Sequence, residues 1–171
     1  NDAAIFLKDA IIDDTHMDRL FAAIFDTTGQ ICMNAKRIYV PRSRMDEVVK
    51  ALSDRLAKAK LGYGMDPTTT MGPLHSPVQK KFVDELIAEA KASGAQVLEF
   101  GELPGGDMAG GNFVRPAIVV NPSHSLRVVT EEQFGPVIPV IPFDTEEEAI
   151  RMANDTWAGL AGSVWSADTA A

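Results

Sequence analysis

Cys32 is the residue best suited to nucleophilic chemistry, and it is the only cysteine in the 171-residue chain. A thiolate attacks carbonyl carbon readily and, once bonded, can also leave. Gly29 permits backbone geometry that other residues avoid, and Gln30 is an unusual choice for a dry core. Lys36 and Arg37 follow closely and would lower the pKa of the thiol if they point toward it. Most single cysteines are small buried hydrophobes, however, so these residues alone leave both interpretations open.

A second group of candidate residues lies one hundred positions further along the chain, around Glu132 and Phe134. Taken alone, Glu132 is typical of a solvated acidic pair with Glu131. Phe134 is equally typical of an ordinary core residue. The Gly-Pro step that follows favours a fixed turn that would present both side chains on one loop.

The segment around Cys32 resembles the active-site signature of the aldehyde dehydrogenase superfamily, in which a Gly-Gln-x-Cys turn precedes a basic residue and a strand. Other segments resemble further motifs of this family and follow in the family's order across nearly the whole chain. They are residues 71–74 (MGPL), 113–116 (FVRP), 131–136 (EEQFGP) and 154–160 (NDTWAGL). The departures from the family pattern are Thr27 for the common Asn, Ala117 for Thr and Ala158 for an aromatic residue.

The resemblance implies that Cys32 attacks a small-molecule aldehyde to give a thiohemiacetal. A nicotinamide ring then takes the hydride, and water hydrolyses the thioester. It also implies that the Cys32 backbone N–H donates one hydrogen bond to the oxyanion. The implied cofactor is NAD or NADP, with Glu132 accepting hydrogen bonds from its ribose hydroxyls and Phe134 packing near the nicotinamide. Most of the cofactor cradle would lie outside this chain.

Helical patterns alternate with short apolar runs, which predicts an α/β fold with a largely parallel sheet flanked by helices. The length suits one domain over residues 1–171, which the resemblance identifies as the catalytic, thiol-bearing domain. The predicted strands are residues 3–7, 38–40, 96–100, 113–120, 137–143 and 160–165. Because Pro139 and Pro142 lack an N–H, the strand over 137–143 is predicted to lie at an edge or to be kinked.

A predicted helix delivers the chain to Cys32 and buries one apolar face. That face comprises Met17, Leu20, Phe21, Ile24 and Phe25. Capping chemistry predicts helix starts at residues 13–15, at Ser43 with Asp46, at Ser76 with Pro77, and at Asp144 with Glu147. The Gly-rich stretch 101–112 predicts a surface hairpin tip, because no helix follows that would complete a phosphate cradle.

Composition excludes several classes of function. A net charge of −8 argues against nucleic acid or an anionic membrane surface as a partner. No stretch approaches the ~18 apolar residues of a membrane span, and no signal peptide is visible. A single cysteine suits a reducing cytoplasm. The scattered His16, His75 and His124 match no spacing typical of metal ligands.

The resemblance extends over nearly all of the chain but corresponds only to part of a full enzyme. In the family, the general-base glutamate and the Rossmann-like cofactor domain lie ahead of the position of Asn1, and a final segment follows that of Ala171. We therefore expect the isolated chain to be inactive as a dehydrogenase, and the full-length enzyme to be a homo-oligomer. Two alternatives stay open: a CoA-acylating or phosphorylating relative, and a non-catalytic binding domain with the same fold.

Overall fold

The computed structural model describes residues 1–168 and residue 170. Its strands are β1 Asp2–Phe6, β2 Ala35–Pro41, β3 Gln96–Glu99, β4 Ala117–Val120, β5 Val137–Phe143 and β6 Gly162–Trp165. Its α-helices are α1 Asp14–Phe25, α2 Met45–Leu56, α3 Pro77–Ala92, α4 Arg127–Thr130 and α5 Glu146–Asn154. Short 3-10 turns occupy Asp26–Gly29, Arg42–Arg44 and Gly106–Met108.

The six strands form one sheet in the order β3-β4-β5-β2-β1-β6. Every neighbouring pair is parallel except β3 and β4, which are antiparallel. This arrangement confirms the predicted α/β fold with a largely parallel sheet. The Gly-rich stretch 101–112 joins the antiparallel pair and is mostly exposed, as expected for a hairpin tip.

Alternate residues of each central strand point to opposite faces of the sheet, and each face has its own core. In β2, Ile38 and Val40 pack into a cluster covered by α1 and α2, whereas Tyr39 packs into a cluster covered by α3, α4 and α5. Helices on both faces explain why β2 and β5 are buried along their whole length. No helix of the described residues has the length and apolarity that a membrane crossing needs.

Of the two alternatives predicted for this strand, an edge position or a kink, the edge position is wrong, because β5 lies between β4 and β2 inside the sheet. Pro139 is in register with Val119 on one neighbour, and Pro142 is in register with Val40 on the other. Each proline removes one N–H from the strand, yet all seven residues of β5 are buried. Burial on both faces therefore outweighs two missing donors, a balance that the local sequence does not reveal.

The helix starts agree with the predicted capping in two places and differ in two others. Asp13 caps α1, and Ser76 caps α3 by accepting a hydrogen bond from the Gln79 N–H. The cap of α5 is Thr145, not Asp144. Helix α2 begins at Met45 without a side-chain cap, because the preceding 3-10 turn runs directly into it, so the start predicted at Ser43 is wrong.

Candidate active site

Cys32 lies in the tight turn of residues 31–34, between the end of α1 and the start of β2. The Asn34 N–H closes this turn by donating to the Ile31 carbonyl at 3.1 Å. The thiol is exposed to solvent, so the interpretation of Cys32 as a small buried hydrophobe is wrong. Among the hydrogen bonds of the described residues, none uses the Cys32 backbone N–H as donor, which leaves this N–H available to a ligand oxygen.

Asn34 fastens the turn to the end of α1. Its side-chain Nδ2 donates to the Ile24 and Asp26 carbonyls, both at 3.1 Å, and the residue is buried. These bonds tie the turn to the segment where α1 ends and the 3-10 turn begins. Sequence analysis did not find this role, because its acceptors become neighbours only when the chain reverses at the turn.

The residues that lead into the turn have an unusual backbone conformation. Thr27, Thr28 and Gly29 have consecutive positive φ angles of 53°, 58° and 75°. The left-handed region costs roughly 1–2 kcal/mol for a residue with a Cβ. Such a conformation persists only where surrounding contacts over-determine it, so the contacts of this segment are important for placing Cys32.

The Gly-Pro step of residues 71–74 supplies several of those contacts. The Gly72 N–H donates to the Thr28 hydroxyl at 3.1 Å, and that hydroxyl lies 3.2 Å from the Gly72 carbonyl. The Gln30 side chain accepts from the His75 N–H at 2.9 Å. Gln30 and Thr28 are therefore polar because they tie the thiol-bearing turn to a distant segment.

Gly29 brings the Cys32 turn against the loop of residues 131–136. A Cβ built on Gly29 would lie only 2.4 Å from the Gly135 carbonyl oxygen. The two backbones can approach this closely only because position 29 has no side chain. The two candidate groups, one hundred residues apart in sequence, are thus in direct contact in the fold.

The 131–136 loop is itself held in a defined shape. Gln79 on α3 donates from Nε2 to the Gln133 carbonyl at 2.8 Å and to the Phe134 carbonyl at 3.2 Å. The Gln133 side chain is fully buried and donates to the Lys36 carbonyl at 3.1 Å. Phe134 has a φ of 47°, so this loop is also strained and over-determined.

Glu132 and Phe134 are both partly exposed on this loop. Glu131 binds Arg127 at 2.9 Å, whereas the described side chains include no hydrogen-bond partner for Glu132. The two neighbouring glutamates therefore have different surroundings: Glu131 is ion-paired with Arg127, and Glu132 is partly exposed to solvent. A carboxylate that is free to accept hydrogen bonds and a partly exposed ring therefore lie on one loop.

Lys36 points into the site, and Arg37 is bound elsewhere. The Lys36 Nζ donates to the Gly29 carbonyl at 2.7 Å and lies 5.4 Å from the Phe134 ring centroid. Burial lowers the pKa of Lys36 from 10.5 to about 8, although electrostatic interactions with Glu132, Asp2 and Cys32 oppose this fall.

Arg37 is buried on a different set of partners. Its guanidinium donates to the Asn1, Met152 and Ala153 carbonyls and to the Tyr39 hydroxyl. It therefore stabilises the contact between β1, β2 and α5. Within the described part of the chain, no group of three or more His, Cys, Asp or Glu side chains is placed to hold a metal ion.

Comparison with known proteins gives a consistent result. The sequence model of the Aldehyde dehydrogenase family matches residues 1–171. A 2-aminomuconic 6-semialdehyde dehydrogenase from Pseudomonas sp. is 36% identical over 166 residues, which is 96% of this chain and 34% of the relative. A betaine aldehyde dehydrogenase from Rhizobium johnstonii is 34% identical over 162 residues, covering 92% of this chain and 33% of the relative.

Solved structures show the same similarity. A betaine aldehyde dehydrogenase from Staphylococcus aureus in complex with NAD+ has a TM-score of 0.88 and 38% identity, over 99% of this chain and 34% of the other. An aldehyde dehydrogenase from Mycobacterium tuberculosis complexed with NAD+ has a TM-score of 0.87 and 37% identity, over 99% of this chain and 35% of the other. The chain thus spans about one third of the length of these relatives.

Proposed function

The chain belongs to the aldehyde dehydrogenase family, and from that premise we propose that it supplies the nucleophile of an NAD- or NADP-dependent enzyme that oxidises an aldehyde to a carboxylic acid. One observation carries the proposal. The exposed thiol of Cys32 lies in a turn that packs, through Gly29, against the loop bearing Glu132 and Phe134. A nucleophile and candidate cofactor contacts are therefore adjacent.

In the proposed reaction the Cys32 thiolate adds to the aldehyde carbon and forms a thiohemiacetal. The Cys32 N–H, which has no acceptor among the described residues, donates to the developing oxyanion. Loss of one such donor costs about 3–4 kcal/mol in well-studied enzymes. Bound NAD or NADP supplies the hydride acceptor. The resulting thioester on Cys32 is hydrolysed by water, which releases the acid and restores the thiol.

Glu132 and Phe134 are proposed to position the cofactor. The Glu132 carboxylate, which has no hydrogen-bond partner among the described side chains, would accept hydrogen bonds from ribose hydroxyls, which is the role of the acidic residue in dinucleotide-binding folds. The Phe134 ring would pack near the nicotinamide and restrict its orientation. The strained backbone at Phe134 fits such a role, since strain concentrates where a side chain must be held in one direction.

We further propose that residues 1–171 form the thiol-bearing domain of a longer enzyme. The support is that the chain covers about a third of its relatives' length. The relatives named as aldehyde dehydrogenases make a small-molecule aldehyde the proposed substrate, and a homo-oligomer is the proposed assembly. Cytoplasmic localisation remains a prediction from the single cysteine.

Product analysis tests this function. The full-length enzyme is given an aldehyde with NAD or NADP, with and without CoA or phosphate, and reduced cofactor and acid are quantified. We expect acid in a one-to-one ratio to reduced cofactor without either co-substrate. A requirement for CoA or phosphate would instead identify the acylating or phosphorylating branch.

The C32S variant provides the residue-level arm of the same test. We expect at least about a thousandfold loss of turnover with an unchanged melting temperature, as is usual when a nucleophile is removed. Retained turnover in C32S would contradict the assignment of the nucleophile. A wild-type protein that binds a ligand but oxidises no aldehyde, with an unreactive Cys32, would support the non-catalytic alternative.

A further inference from the structure

We infer that Lys36 is a positioning residue that couples the Cys32 turn to the 131–136 loop and thereby sets the thiol against the bound cofactor. This inference rests on the proposed function and goes beyond it, because it concerns a residue to which the proposed reaction gives no role. Lys36 lies four positions after Cys32 and is the second residue of β2.

Both ends of Lys36 are held by these loops. At the side chain, Nζ donates to the Gly29 carbonyl at 2.7 Å and lies 5.4 Å from the Phe134 ring centroid. At the backbone, the Lys36 carbonyl accepts from Gln133 Nε2 at 3.1 Å. One residue therefore contacts the segment before Cys32 and the two residues that follow Glu132.

A purely structural role does not explain a lysine here. Lys36 is only 2% exposed, and burial of an ammonium group is costly unless it is well paired. Among the described residues, the Gly29 carbonyl is the one hydrogen-bond acceptor of its three N–H groups. A methionine of similar length would fill the same space without this cost, so the charge itself needs a reason.

The charged groups that face Lys36 indicate that reason. Asp2 approaches from β1, Cys32 from the turn before β2, and Glu132 from the loop after α4, and each interacts favourably with the ammonium. The ammonium thus attracts both the thiolate and the proposed ribose-binding carboxylate while it lies against Phe134. When the ammonium loses its proton, these attractions and the cation–π contact are lost together.

The test compares two variants of the full-length enzyme. K36M has a side chain of similar length without the charge, and K36R keeps the positive charge. We expect K36M to raise the KM for NAD or NADP by about tenfold or more, the effect of losing a charge-assisted hydrogen bond. The KM for the aldehyde should change less than about threefold. K36R should recover most of the cofactor affinity.

Two further readouts separate positioning from simple stabilisation. The wild-type profile of kcat/KM for the cofactor should fall as Lys36 loses its proton around its lowered pKa of about 8, and K36M should lack this step. Calorimetric titration with the cofactor gives the same comparison without turnover. K50M is the matched control, since Lys50 is an exposed lysine whose one ion-pair partner among the described residues is Asp54.

The results that would refute the role of Lys36 differ from those that would refute the proposed function. If K36M lowers only the melting temperature and keeps the wild-type KM values and pH profile, Lys36 has no positioning role. If K36M fails to fold, K36R and the wild-type pH profile still decide, because a profile without a step in that range refutes the coupling. A wild-type enzyme that neither binds the cofactor nor oxidises aldehydes would refute the proposed function instead.

Discussion

At the scale of single residues, close backbone approach matters as much as side-chain chemistry. Gly29 combines a φ of 75° with van der Waals contact to the Gly135 backbone. No other residue type satisfies both requirements without a shift of one loop. The placement of Cys32 beside the 131–136 loop therefore depends on a residue that has no side chain.

Replacing Gly29 with alanine should separate the two loops. We expect G29A to lower stability by about 2 kcal/mol or more, from left-handed strain and from a Cβ placed 2.4 Å from the Gly135 oxygen. Cofactor affinity should fall as well. Chemical denaturation and cofactor titration measure the two effects.

Gly64 is the matched control for that substitution. A Cβ at Gly64 meets nothing within 4 Å, and its φ is not in the left-handed region. The free energy of unfolding of G64A should therefore lie within about 0.5 kcal/mol of the wild-type value. Equal stability of G29A and G64A would show that the loops are not in close contact.

Lys36 should make the stability of the folded state depend on pH, and the sign of this dependence follows from its burial. Its pKa is about 8 when folded and 10.5 for a free lysine, so between these values the unfolded chain binds more protons. The free energy of unfolding of the wild type should therefore rise with pH across this window relative to K36M, by at most about 3 kcal/mol. Below the window the cost of the buried ammonium is fully present.

Denaturation of wild type and K36M at about pH 7 and about pH 9.5 measures this difference. The free energy of unfolding of the wild type, relative to that of K36M, should be larger at the higher pH. K50M should show no such gain, because Lys50 is exposed. A constant or falling difference between wild type and K36M would mean that Lys36 keeps an ordinary pKa.

Cys32, Glu132 and Phe134 could be predicted from the sequence because family motifs contain them, and their roles stay proposals. The role of Asn34 and the Gly29–Gly135 contact could not be predicted, and in the sequence Lys36 and Arg37 look equivalent. These features depend on which segments meet after folding. In β2, adjacent side chains lead to different partners, so two consecutive basic residues have unrelated surroundings.

At the scale of secondary structure, periodicity and capping residues predicted most elements. One error arose where two adjacent residues could both cap a helix. The alternation of helices and strands predicted the parallel sheet, and Ser76 was correctly identified as the cap of α3. At α5, Asp144 and Thr145 are both good capping residues, and local sequence does not rank them. In the folded chain the Asp144 side chain pairs with Arg42 at 2.8 Å, and Thr145 caps the helix.

The two candidate caps of α5 should have different effects on stability. Thr145 accepts from the Glu148 N–H at 3.2 Å, so T145A should cost about 1 kcal/mol. Asp144 and Arg42 are both more than half exposed, so D144A should cost between zero and about 1 kcal/mol. Urea denaturation of both variants checks the order. A larger loss in D144A would mean that the aspartate is the cap.

At the scale of the whole molecule, Cys32 lies at the surface of the chain, and the sheet edge formed by β6 carries exposed apolar side chains. Strand β6 is at the edge of the sheet with β1 as its paired neighbour. Val164 on this strand is 63% exposed, Ile150 on α5 is 55% exposed, and both line one open cavity. Exposed apolar side chains next to a strand edge are typical of surfaces that contact other protein. This agrees with the proposal that the chain works within a larger enzyme.

The isolated chain should therefore separate nucleophile chemistry from turnover. Residues 1–171 alone should react with iodoacetamide at Cys32, because the thiol is exposed. We expect them not to reduce NAD or NADP, because the resemblance to the family implies that the general-base glutamate and most of the cofactor cradle belong to other parts of the enzyme. Mass spectrometry and absorbance of the reduced cofactor measure the two properties. Stoichiometric labelling together with reduction at enzyme-like rates would contradict this expectation.

The central claim is that the Cys32 sulfur bonds to the carbonyl carbon of the substrate. The most direct measurement is acid quenching of the full-length enzyme during turnover of an aldehyde with its cofactor, followed by peptide mass spectrometry. The account predicts an acyl group on the peptide containing Cys32, at the mass of the aldehyde less two hydrogens, and no such adduct without cofactor. An acyl group on another residue, or turnover with Cys32 never modified, would contradict it.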